Sequence, residues 1–110
     1  MERREARPKI RRLIDALRSY QPERVYLFGS WARGEEDELS DVDIVVIKRT
    51  GLPFFDRLRE VGKLLPAGIG GVDILVYTPE EFAAMRREGN AFADLIAEEA
   101  RVIYGQQTES

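Results

Sequence analysis

The chain contains no cysteine and no histidine. Disulfides, zinc-thiolate sites and haem ligation by these residues are therefore excluded. So are cysteine–histidine and serine–histidine–aspartate catalysis. Any resident metal must be a hard cation held by oxygen, and proton transfer must use carboxylate, lysine, arginine, tyrosine or water. Long apolar runs are missing too, so no segment is expected to span a membrane. The basic start, residues 1–12, leads into no apolar stretch and reads as no signal peptide. Without cysteine, the sequence fits a cytoplasmic protein.

What is present fits one folded domain. The chain has 110 residues, within the usual domain range. Hydrophobic residues make up 44% and charged residues 34%, and the apolar ones fall in blocks, which argues against disorder. The balance of 17 Lys and Arg against 20 Asp and Glu gives a net charge of −3. That argues against a whole-surface nucleic-acid binder, which would be basic. No internal repeat or low-complexity linker divides the chain. We expect a single domain over residues 1–110, with a core over about 8–104 and a polar tail over 105–110.

Ile10, Leu13, Ile14 and Leu17 recur at helical spacing, which predicts a helix over 8–20 closed by Gln21-Pro22. Residues 24–28 form a β-prone run ended by Gly29. Residues 29–34 read as a turn or one helical turn, and 35–40 as an acidic, solvated loop. A second strand is expected over 41–47. Pro53 opens a helix that carries Phe54, Phe55, Leu58, Val61, Leu64 and Leu65 on one face. Residues 66–71 contain three glycines and a proline and cannot be regular. A third strand follows over 72–77, then a capping box, Thr78 with Glu81, at the start of a helix. That helix breaks near Gly89-Asn90, a further helical stretch covers 91–100, and residues 101–104 could form a short edge strand. The expected class is α/β or α+β, a small sheet of three to four strands flanked by helices.

Three carboxylates occur where strands should be apolar. Asp41 and Asp43 are two residues apart, so on a strand their side chains share a face. Asp73, between Val72 and Ile74, joins them if its strand lies alongside and in register. Like charges in one site repel, and a divalent cation removes that cost. Mg²⁺ suits the set because it takes few carboxylates and completes its shell with water and phosphate oxygens. Two such ions can clamp an in-line displacement at phosphorus. Gly29-Ser30 after a strand offers close backbone approach and an anion nest, and Arg33 a cationic fork for phosphate. The residues alone thus indicate metal-dependent phosphoryl or nucleotidyl transfer. Trp31 and the four tyrosines are most simply packing residues. An apolar C-terminal set, Phe82, Phe92, Leu95, Ile96 and Ile103, could serve a homo-oligomer or partner surface, core packing being the simpler use.

In order, the chain shows Gly29-Ser30-Trp31-Ala32-Arg33-Gly34, an acidic spacer, Ser40-Asp41-Val42-Asp43, and later Asp73 between apolar residues. This pattern resembles the nucleotidyltransferase superfamily with the DNA polymerase β catalytic fold, in particular the single-domain minimal nucleotidyltransferases, over roughly residues 10–104. The resemblance implies a small mixed sheet flanked by helices, with Asp41 and Asp43 binding two Mg²⁺ ions and Asp73 sharing one and helping to activate the acceptor hydroxyl. It implies that Gly29 and Ser30 hold the β- and γ-phosphates of ATP or another nucleoside triphosphate. Arg33 would touch phosphate or brace the loop. Members of that family are often paired with a small helical HEPN protein, a ribonuclease toxin whose tyrosine they modify with AMP, so the resemblance implies an antitoxin. The competing reading is a non-catalytic nucleotide-binding module that neutralises or assembles with a partner by direct binding. A small-molecule nucleotidyltransferase of the aminoglycoside-modifying type would usually need a second helical domain.

Overall fold

The computed structural model describes residues 8–36 and 41–105. Helix α1, Pro8–Leu17, buries Ile10, Leu13 and Leu17 and turns Arg11, Arg12 and Asp15 to solvent. A 3₁₀ turn, Arg18–Tyr20, continues it. The chain then reverses at Gln21, in the left-handed region at φ 58°, and Pro22 prevents further helix. Strand β1 covers Arg24–Phe28. The turn beyond it becomes a short helix, α2, Ser30–Arg33, with Trp31 and Ala32 buried.

Strand β2, Val42–Ile47, is followed by helix α3, Phe54–Gly62. Strand β3 covers Val72–Tyr77 and leads into α4, Pro79–Arg87. The expected capping box forms: Glu81 N donates to Thr78 Oγ1 at 3.1 Å and Thr78 N to Glu81 Oε1 at 2.9 Å. Asn90 caps α5, Ala91–Glu99, by accepting from Ala93 N at 3.0 Å. Strand β4, Arg101–Tyr104, closes the order.

The four strands form one mixed sheet in the order β3-β2-β1-β4. β1 runs antiparallel to both β2 and β4, while β2 and β3 are parallel and joined across α3. Alternation then sorts the side chains. Val25, Leu27, Val42, Ile44, Val46 and Val76 face α1, α2 and α3, and are packed with Leu13, Leu17 and Val61. Val45 and Ile47 face α4 and α5 and meet Phe82, Ala93 and Ile96. Both faces of β2 are thus covered, which explains its continuous apolar half.

Some expectations shift. Asp41 lies one residue before β2 rather than on it. Phe55 does not share the packed face of α3: it is 70% exposed, while Leu64 and Leu65 pack on the core from beyond the helix end. Adjacent Phe54 and Phe55 are about 100° apart around a helix, so both cannot face inward equally. Of the C-terminal apolar set, Phe82 and Ile96 are buried, Phe92 and Ile103 pack against the two cores, and Leu95 is exposed. Ser40, most of the acidic loop, the first seven residues and the tail from 106 lie outside the described residues.

Candidate active site

The strand polarities bring one end of β1 to the starts of β2 and β3. β1 finishes at Phe28, which pairs with Asp43, and Asp43 pairs in register with Asp73 across the parallel ladder. Cα atoms paired this way lie about 4.8 Å apart. Parity places both aspartates on the face that carries Val45, Leu75 and Tyr77. Toward the middle of the sheet that face is sealed by α4 and α5; at its end it holds carboxylates instead.

Asp43 and Asp73 are within hydrogen-bonding reach of each other. Partial burial, then the Asp73 carboxyl, then the charge of Asp41 hold the Asp43 carboxyl above the ordinary aspartate range. Asp41 completes the local set differently from expectation. Its carboxylate lies against the bare Cα of Gly71, where an added Cβ would overlap it. Because Asp41 precedes the strand, the pleat does not fix its direction. Among the described residues no three acidic side chains are drawn close enough to hold an ion. The assembled element is the Asp43–Asp73 pair, with Asp41 beside it.

Gly29 stands against Asp43. Its backbone has φ 76° and ψ −155°, a conformation essentially confined to glycine, and a Cβ there would come 2.5 Å from Asp43 Oδ2. The glycine therefore lets α2 start against the carboxylate. Ala32 N and Arg33 N both donate to Gly29 O, at 3.0 and 3.2 Å, which opens the single turn at Ser30. Gly34, at φ 76°, ends it. Trp31 is 7% exposed and packs in the core. Arg33 projects outward, where its Nε donates to Glu35 Oε1 at 2.9 Å. The structure thus gives Arg33 an acidic partner that the sequence reading had not assigned it.

The donor set suits a hard divalent cation. All of it is carboxylate oxygen; burial first, then the neighbouring carboxyls, raise Asp43, and a cation would relieve the repulsive part of that cost. Sequence reasoning overlooked Lys9, whose Nζ donates to Gly71 O at 2.9 Å across 62 residues. It overlooked Arg57 as well, a buried charge on a helix read as amphipathic. No local pattern marks either residue, because each is defined by a partner distant in sequence.

The mixed sheet thus presents a carboxylate pair beside a glycine-bounded turn. Comparison with known proteins narrows the class. Residues 10–67 match the nucleotidyltransferase domain family, and the chain belongs to that family. A candidate protein adenylyltransferase of Methanocaldococcus jannaschii is 36% identical over 67 residues, 61% of this chain and 72% of the relative. The crystal structure of a candidate nucleotidyltransferase from Sulfolobus solfataricus shares the fold, with a TM-score of 0.58 and 24% identity over 89% of this chain and 84% of that one. A toxin–antitoxin crystal structure with AMP-PNP contains a chain similar to this one, with a TM-score of 0.63 and 25% identity over 88% of this chain and 73% of its own. The chain is a nucleotidyltransferase, built on a four-stranded mixed sheet with flanking helices.

Proposed function

We propose that this nucleotidyltransferase moves AMP from ATP to a hydroxyl of a partner protein, releasing pyrophosphate, and acts in the cytoplasm as the antitoxin of a toxin–antitoxin pair with a HEPN-type helical toxin. The observation that carries the chemistry is the in-register Asp43–Asp73 pair with Asp41 at its side. A protein acceptor is supported by the adenylyltransferase relative and the toxin–antitoxin neighbour.

In this reading Asp41, Asp43 and Asp73 hold Mg²⁺, in all two ions. Bound there, Mg²⁺ neutralises charge on the triphosphate and polarises the reacting phosphorus. Gly29 lets the backbone approach closely, and Ser30 at the start of α2 contributes a hydroxyl and an amide to the β- and γ-phosphates. Asp73 lies on the edge strand β3 and is exposed, which suits a group that takes the acceptor's proton. Arg33, released from Glu35, would add a cation to the phosphates.

The test is to incubate the protein with α-labelled ATP, Mg²⁺ and the product of the neighbouring gene, beside an Asp41→Asn/Asp43→Asn control. Label on the partner, absent in the control, is the expected result. A stable complex without label would overturn transfer in favour of direct binding.

A further inference from the structure

Lys9 lies in the first turn of α1 and makes a single hydrogen bond among the described residues, from its Nζ to Gly71 O at 2.9 Å. The same carbonyl accepts Val42 N at 3.1 Å. One oxygen therefore serves both the ammonium and the first residue of β2, which stands between Asp41 and Asp43. The other surface of Gly71, its bare Cα, is where the Asp41 carboxylate lies. Gly70, at φ 93°, sits against the ammonium itself: a Cβ there would come 3.1 Å from Nζ. Nζ also lies 6.0 Å from the centroid of the Trp31 ring, the buried anchor of α2.

A single cation thus touches the backbone just ahead of β3 and approaches the helix that follows Gly29. The two-glycine turn it grips has little rigidity of its own, since neither residue carries a side chain to pack. A hydrogen bond from a charged donor is the stronger kind, and this one ties α1, which is outside the sheet, to the turn ahead of β3.

We infer that Lys9 is a positioning residue of this site: it pins the Gly70–Gly71 turn and, through it, holds the Asp41 carboxylate beside the Asp43–Asp73 pair, ready for a divalent cation. The inference rests on the transferase reading above. Lys9 touches the glycine and not the ion, so its effect is indirect and should resemble that of other groups that orient metal ligands.

The experiment compares the full chain with its Lys9→Met and Lys9→Arg variants in three measurements: Mn²⁺ binding by calorimetry, hydrogen exchange at the Val42 amide, and melting temperature. Lys9→Met should weaken Mn²⁺ binding about tenfold, the low end for groups that orient ligands. It should also speed Val42 exchange and leave melting nearly unchanged, because Lys9 is partly exposed. Lys9→Arg keeps a cationic donor and should recover most of the affinity, which a packing role for the lysine stem would not require. Wild-type affinity in Lys9→Met, or an unmoved Val42 amide, would overturn the inference. If the wild-type chain binds no Mn²⁺, the metal-dependent reading falls and the inference falls with it.

Discussion

The two ends of β3 solve opposite problems. Where the strand begins, Asp73 faces Asp43 with Asp41 close by, and partial burial, then these neighbouring carboxyls, raise the Asp43 carboxyl. Where it ends, the guanidinium of buried Arg57 makes four hydrogen bonds. It donates to Glu81 through Nη1 and Nη2 at 2.7 and 2.9 Å, and to the carbonyls of Leu52 and Val76 at 2.8 and 3.1 Å. Glu81 also closes the capping box of α4. One end stores repulsion that a ligand can relieve; the other joins α3, β3 and α4. The contrast sets the proposed reaction site against an ion pair that holds the fold together.

The largest effect should come from the repulsive end. Asp43→Asn should lower nucleotidyl transfer at least about a hundredfold, since metal-borne charge stabilisation is worth several kcal/mol and each ~1.4 kcal/mol is tenfold in rate. Its melting temperature without Mg²⁺ should not fall, because a like charge has been removed. A variant that melts lower would break the comparison. Gly29→Ala tests the same end sterically. The glycine-only backbone costs about 1–3 kcal/mol for any other residue, and the new Cβ presses on Asp43 Oδ2. Transfer and stability should therefore fall together, as read by assay and denaturant titration.

At the other end, Glu81→Ala should cost about 1.5–3 kcal/mol, the range for hydrogen bonds to charged groups. That is below the cost of breaking a fully buried pair, because the Glu81 side chain is 44% exposed. Transfer per folded molecule should hardly change. Phe55→Ser should do least, within about 0.5 kcal/mol in a melting experiment, since the ring is 70% exposed. If the partner docks through this aromatic, complex formation will weaken while stability does not.

Much of this was legible in the sequence. The apolar blocks marked every strand, Thr78 with Glu81 marked the start of α4, and Asp41, Asp43 and Asp73 stood out as carboxylates where strands should be apolar, although Asp41 lies just before β2. The parallel register that sets Asp43 opposite Asp73 was a condition in the sequence and a result in the structure. Local pattern sets periodicity, but strand order depends on the crossover through α3. Phe55 was misplaced because a helix face was drawn too wide. Arg57 and Lys9 were missed because a cation on an amphipathic helix looks solvated until its distant acceptor is known. Glu81 was assigned its cap but not its ion pair for the same reason.

The two ends also differ in pH response. Asp43 is raised in the fold, so its contribution is full below the ordinary aspartate range of about 3.9 and is lost as pH rises through the raised value. Glu81 is held below the ordinary range, chiefly by Arg57, so its contribution is present above about 4.3 and is lost as pH falls through the lowered value. The most direct test of the central claim is therefore melting temperature against pH, with and without Mg²⁺ and ATP, for the wild type and for Asp43→Asn/Asp73→Asn. In the wild type, Mg²⁺ with ATP should raise melting once pH exceeds the raised Asp43 value, because a ligand that binds the folded state stabilises it. The double variant should show no such rise. An equal rise in the double variant, or none in the wild type, would contradict the carboxylate pair as the seat of the metal and the reaction.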